Sequence, residues 1–283
     1  WKHPQLALKK RKLESKLWLG LDDLSGKTIL LYAEGGFGDT IQFIRYAKLF
    51  DPDVRLIIQC QLPLIGLVRG MGLGAEVIST GEKPSPHDFH CPMMSLPLAF
   101  GTTTDTIPHF DRYMYASKEH IKKWGEFIGQ MARPKFGIVA RGSHSHTNDK
   151  DRSLSLKKLV AQLPKNATYV LLQKDLSYDE RALIYSCENI IAPEMALESF
   201  SDTAAICMHL DQVISVDTGV AHLSAALGKP TTVLLPYRPD WRWGAGGETT
   251  AWYPSATLMR QTNNGSWGDV IGTWHVACLQ NFT

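Results

Sequence analysis

Residues 213–230 read V-I-S-V-D-T-G-V-A-H-L-S-A-A-L-G-K-P, and this stretch decides the fold. A β-branched apolar run delivers Asp217, Thr218 and Gly219 to a segment of small and apolar residues, which Gly228 and Pro230 close. Asp or Thr caps a helix start, and Gly followed by Pro stops one. The pattern predicts a strand over 212–216, a helix from 217 or 218 to 227, and a second strand over 231–235. Free N–H groups at that helix start, with the helix dipole behind them, suit a diphosphate.

Moving outward, strands are predicted at 136–140, 169–173 and 190–192, preceded by a helix over 117–130 and a boundary at Arg133-Pro134. The first half repeats the theme with strands at 28–33, 54–59, 76–79 and 88–91. Short apolar runs alternating with helical periods predict parallel α/β sheets, whose ligands sit beyond the carboxyl ends of the strands. The expectation is two Rossmann-like domains, 1–132 and 133–283, with those ends facing across a cleft. Residues 267–279 read as a helix that packs back on the first domain, and the aromatic stretch 234–261 reads as loop.

Composition is that of an ordinary globular protein, 44% hydrophobic and 20% charged. A net charge of +2 gives no electrostatic reason to expect nucleic acid or a membrane surface. No apolar run approaches the roughly 20 residues that span a bilayer, and the start lacks a secretory h-region. The chain begins at Trp1 rather than Met and reads as a piece of something longer. Cys60, Cys91, Cys187, Cys207 and Cys278 are scattered and odd in number, which predicts reduced thiols in a cytoplasmic protein.

Four segments carry candidate chemistry. Gly35-Gly36-Phe37-Gly38-Asp39 follows the first strong strand, where glycines let a ligand approach the backbone. Ile41 stands where a dinucleotide fingerprint needs its third glycine, and no acidic residue ends the next strand. A nicotinamide enzyme is therefore disfavoured. Asp39 fits both a helix N-cap and a catalytic carboxylate. In the second segment His222 lies one turn into its helix on the face of Thr218, as a ligand contact or a structural histidine.

The third segment, 140–156, offers Arg141, Lys150 and Arg152 as cations for a departing diphosphate, Lys150 reading better as a solvated charge. His144 and His146 form an H-x-H without a third ligand, weak evidence for a metal. The D-x-D matches at Asp51–Asp53 and Asp149–Asp151 are short, and the former reads as a turn. In the fourth segment Trp241, Trp243, Trp252 and Tyr253 serve either as stacking surfaces for a sugar or base or as loop packing, with Arg242 as a charge.

Taken in order, A-E-G-G-F-G-D-T-I-Q-F-I-R-Y, D-F-H-C-P-M-M-S-L-P-L-A-F-G-T-T, R-G-S-H-S-H-T-N-D-K-D-R-S, I-S-V-D-T-G-V-A-H-L-S-A-A-L-G-K-P and L-L-P-Y-R-P-D-W-R-W with W-Y-P-S-A-T-L-M-R-Q resemble the catalytic region of tetratricopeptide-repeat glycosyltransferases. That region is similar to the family 9 heptosyltransferases. The resemblance runs from about Trp18 to the C-terminus. It implies a GT-B fold, a hexosyl- or heptosyltransferase-like enzyme, an inverting reaction without a metal or other cofactor, and a nucleotide-sugar donor.

Under the resemblance, Asp39 is the base that deprotonates the acceptor hydroxyl, with Gly36, Phe37, Gly38 and Gln42 on the acceptor side. Asp217, Thr218, Gly219, Val220 and His222 hold the donor, Arg152 stands where the family carries a phosphate-binding lysine, and Arg141 lies beside it. The implied acceptor is a glycan, a lipid-linked species or a protein, with tetratricopeptide repeats upstream in the full-length protein. Two alternatives stay open. One is a sugar-nucleotide epimerase or hydrolase on the same fold. The other is a module that binds nucleotide sugar or glycan without turnover.

Overall fold

A computed structural model describes residues 13–142 and 149–282, with backbone alone for Lys150 and 275–282. The candidates His144 and His146, and the side chain of Lys150, lie outside the described residues. The chain divides into two units, Trp1–His109 and Phe110–Thr283.

In the first unit, strands β1 (Lys16–Leu17), β2 (Thr28–Tyr32), β3 (Arg55–Cys60), β4 (Glu76–Ser79) and β5 (Phe89–Pro92) form one sheet in the order β1-β5-β2-β3-β4. Every pairing is parallel. Strands covered on both faces read as continuous apolar runs, which is why T-I-L-L-Y and R-L-I-I-Q-C are buried almost along their length. The chain runs outward from β2 through β3 to β4 and then returns to β5 on the other side of β2. The switch point therefore lies between β2 and β5.

The second unit carries β6 (Lys135–Val139), β7 (Thr168–Leu171), β8 (Ile190–Ile191), β9 (Gln212–Val216), β10 (Thr231–Leu235) and β11 (Ala256–Arg260), in the order β11-β10-β9-β6-β7-β8. All its pairings are parallel too. This is the doubly wound order of a six-stranded Rossmann sheet, with its switch point between β6 and β9. Phe136 stacks on Tyr169 at 5.7 Å, and Trp274 meets Phe136 edge-on at 5.7 Å.

The division falls at 109/110 rather than 132/133, and packing explains why. The N–H groups of Tyr113 and Met114 both donate to the carbonyl of Ala226, at 3.0 and 3.2 Å, satisfying the C-terminal end of helix Gly219–Ala226. Gly228, at φ 75°, lies against the carbonyl of Asp111, so a side chain there would be strained and crowded. Helix Lys118–Ile128 is anchored by Asp202, which accepts from the Trp124 indole at 3.0 Å. The last helix, Trp267–Phe282, buries Trp267, Val270, Ile271 and Trp274 in the second unit's own core.

Two strands were not legible as such. β1 is two exposed residues, and β11 lies in the stretch that reads as loop. A-T-L-M-R lacks a β-branched run, and β11 forms because β10 offers it a full parallel edge from Thr231↔Ala256 to Leu235↔Arg260.

Candidate active site

At the first unit's switch point, β2 ends in Ala33-Glu34-Gly35 and helix Phe37–Phe43 begins. Gly36 is the N-cap, so Asp39 is not the cap that its sequence position suggests: it is the third helical residue. From there its Oδ2 accepts the N–H of Gly36 at 2.7 Å, the reciprocal half of a capping box. The approach is close enough that a Cβ on Gly35 would lie 2.2 Å from Asp39 Oδ2. Gln61, just past β3, donates from Nε2 to the Gly35 carbonyl at 2.9 Å and accepts from Thr40 Oγ1 at 2.9 Å.

Glu34 was not singled out by sequence reasoning. It is exposed as a residue, yet desolvation of its carboxyl, then the charge of Asp39, push its pKa up to about 8, against a smaller opposing bond from the Met94 backbone. Phe37 is exposed, whereas Gln42 is fully buried. Asp51 and Asp53 sit at the amino end of β3, away from the ligand edge. Asp53 accepts from Ser25 Oγ at 2.8 Å and Gly26 N–H at 3.0 Å, a turn as expected.

At the second unit's switch point, β9 hands over to helix Gly219–Ala226 through Asp217 and Thr218. Thr218 is the N-cap; its Oγ1 accepts from Ala221 N–H and shares a 2.8 Å hydrogen bond with Ser215 Oγ. The first-turn amides of Gly219 and Val220 have no intrahelical acceptor and face the carboxyl edge. Arg152 reaches across from the end of the short helix Asp149–Arg152 that follows β6. Its Nη1 donates to the Asp217 carbonyl at 2.9 Å, and its Nε lies 3.5 Å from Asp149 Oδ1. The guanidinium lies directly over Gly142, where a Cβ would meet Nη2 at 2.3 Å.

Asp217 is held below its ordinary pKa. Desolvation pushes it up, but the His222 bond and charge, the Trp243 indole and the Arg152 charge together outweigh that penalty. His222 is 4% exposed: Nδ1 pairs with Tyr253 Oη at 2.8 Å, and Nε2 lies 3.7 Å from Asp217 Oδ1. Its ring stacks on Trp243 with centroids 5.1 Å apart. Trp243 and Tyr253 are thus packing partners of the site helix, while Trp241 is exposed and lies under the Arg242 guanidinium at 4.6 Å. Arg141 is engaged elsewhere, donating to both Glu180 carboxylate oxygens and to the Asp175 carbonyl.

Arg260 was also missed. It donates to four carbonyls, those of Trp243, Gly244, Gly246 and Gly247, at 2.5 to 3.2 Å, and so shapes the loop that carries Trp243. Gly244 and Gly247 adopt φ of 68° and 80°, which glycine alone accepts without strain. Among the described residues no group of three metal-ligating side chains converges, and no helix is long and apolar enough to cross a membrane.

A capped helix N-terminus at the switch point of one Rossmann sheet, and a carboxylate-bearing glycine loop at that of another, fit a glycosyltransferase that takes its sugar from a nucleotide donor. Residues 169–266, from β7 to the start of the last helix, match the family model described as Glycosyltransferase family 9 (heptosyltransferase). Solved structures share the fold. E. coli ADP-heptose lipopolysaccharide heptosyltransferase II aligns at TM-score 0.61 and 13% identity, over 90% of this chain and 97% of that one. A family 9 glycosyl transferase from Veillonella parvula aligns at 0.59 and 10%, over 93% of both chains. TibC, an iron-containing dodecameric glycosyltransferase of enterotoxigenic E. coli, aligns at 0.58 and 12%, over 90% of this chain and 66% of that one. No curated protein sequence matches the chain significantly.

Proposed function

We propose that this chain transfers a sugar from a nucleotide-sugar donor to an acceptor hydroxyl in a single inverting displacement that needs no divalent metal. The observation that carries the reading is the Arg152–Asp217 contact, which sets a cation beside the capped N-terminus of helix Gly219–Ala226 at the switch point. There the donor diphosphate accepts from the amides of Gly219 and Val220 and pairs with Arg152, so the negative charge of the leaving nucleoside diphosphate is stabilised as the anomeric C–O bond breaks. Asp39 takes the acceptor proton, and the acceptor oxygen attacks the opposite face of the anomeric carbon. Asp217 and His222 set the shape of the donor site from beneath. The finer resemblance adds that the full-length protein carries tetratricopeptide repeats that select the acceptor, and that it works in the cytoplasm.

The test is calorimetry with ADP, GDP and UDP, with and without chelator, beside single-turnover transfer or donor hydrolysis for wild type and Asp39→Asn. Asn keeps an oxygen for the Gly36 N–H, so folding and diphosphate affinity should hold within about tenfold. Turnover should fall by at least about a hundredfold. Affinity abolished by chelator, or an Asp39→Asn variant turning over at the wild-type rate, overturns the reading.

A further inference from the structure

We infer that Gln61 is the positioning residue for Asp39, holding the turn from which that carboxylate acts. The inference rests on the reading of Asp39 as the base. Asp39 lies between two points of the chain, the Gly35 carbonyl before the helix and the Thr40 hydroxyl after Asp39 itself. One side-chain amide grips both. Gln61 Nε2 donates to Gly35 O, and Gln61 Oε1 accepts from Thr40 Oγ1, each at 2.9 Å. The two bonds also fix which end of the amide faces which partner, since a carbonyl only accepts.

The grip has something to hold. Gly35 is so near Asp39 that a single added carbon would collide with the carboxylate, and Asp39 Oδ2 is tied to the Gly36 N–H at 2.7 Å. Displacing the Gly35–Gly36 peptide therefore moves the carboxylate. Gln61 stands on the loop after β3, the strand that pairs with β2 from Thr28↔Arg55 to Tyr32↔Gln59. That pairing transmits the rigidity of the sheet into a glycine loop that has little of its own. Because a misplacement of about 1 Å costs on the order of a hundredfold in rate, a neutral residue that never touches substrate can govern turnover here.

The test compares Gln61→Met, which keeps length and removes both bonds, with wild type, Asp39→Asn and the double variant. Hydrogen exchange of the Gly36 amide reads the pinning without any substrate, and should quicken by about tenfold in Gln61→Met. Turnover is read with whichever of ADP-heptose, GDP-mannose or UDP-glucose wild type consumes fastest. It should fall between about tenfold and a hundredfold, with ADP affinity and melting temperature nearly unchanged. In the Asp39→Asn background Gln61→Met should cost nothing further, because both act through one carboxylate. Unchanged exchange at Gly36, or losses that simply add in the double variant, overturn the inference. If Asp39→Asn alone keeps full turnover, the base reading fails instead, and the Gly36 exchange still decides whether Gln61 pins the turn.

Discussion

Arg152 Nη1 and the carbonyl oxygen of Asp217 lie 2.9 Å apart, and this bond ties the short helix Asp149–Arg152 after β6 to the residues that follow β9. Those are the two strands between which the second sheet changes direction. Under the proposed function that cation meets the donor's negative charge, and among the described residues its Nε makes no hydrogen bond, though Asp149 Oδ1 lies 3.5 Å away.

Removing that cation should therefore weaken diphosphate binding more than folding. Arg152→Ala should raise the Kd for the preferred nucleoside diphosphate by about tenfold to a hundredfold, or roughly 1.4 to 2.8 kcal/mol. Arg152→Lys should recover part of the loss, since an ammonium keeps the charge but not the fork. Calorimetry on the three proteins checks this. Equal affinity in all three would remove Arg152 from the site.

His222 makes a different prediction, because both ring nitrogens already face protein groups. His222→Phe keeps the stack on Trp243 but drops the Tyr253 bond, at about 1–3 kcal/mol of stability. Its pH dependence follows from Asp217, whose folded pKa lies below its ordinary 3.8. Such a group stabilises above the unfolded pKa and loses that contribution as pH falls through the folded value. The gap in melting temperature between wild type and variant should be full above about pH 3.8 and narrow below it. Thermal scans from pH 2.5 to 7.5 check it, and a gap that widens on acidification would contradict it.

Glu34 carries the opposite sign. Its folded pKa of about 8 stands above the ordinary 4.5, so between those values the folded chain holds a proton that the unfolded chain has lost. The contribution is present below pH 4.5 and disappears as pH rises through about 8. Wild-type stability should slope downward across that window, and Glu34→Gln, which cannot ionise, should flatten the slope. Denaturant midpoints at half-unit pH steps measure it; parallel curves would show that Glu34 titrates normally.

What could be read from the chain and what could not divides along sequence distance. V-I-S-V-D-T-G carries its strand, its cap and its helix start in adjacent residues, so local chemistry alone places Thr218 at the N-terminus. Strands such as T-I-L-L-Y announce themselves because both faces are covered. Asp39 was legible as a carboxylate in a glycine loop, though not as the third helical residue, since cap positions shift with one residue of helix. Gln61 and Arg260 were not legible at all. An amide 26 residues from Gly35 and a guanidinium 13 residues from Gly247 gain meaning only when parallel pairing brings them over those carbonyls.

That dependence on pairing makes Arg260 the sharpest probe of the aromatic loop. Its guanidinium is the shared partner of the Trp243, Gly244, Gly246 and Gly247 carbonyls, and it sits at the end of an edge strand. Arg260→Met keeps the stem and the β11 pairing but leaves the four carbonyls to water. Because the glycine loop is exposed, solvent can replace those bonds, so the global cost should stay near 1–2 kcal/mol. The loop itself should change much more, since glycines at positive φ regain conformational freedom once the clamp is gone. Cleavage between Gly244 and Gly247 by limited proteolysis should accelerate by at least about tenfold, as expected when a local opening free energy drops by about 1.4 kcal/mol. Trp243, stacked on His222, should report the change as a shift in tryptophan emission that the Trp243→Phe variant lacks. If proteolysis and emission both stay as in wild type, the loop holds its shape by aromatic packing alone and the four carbonyl bonds are incidental.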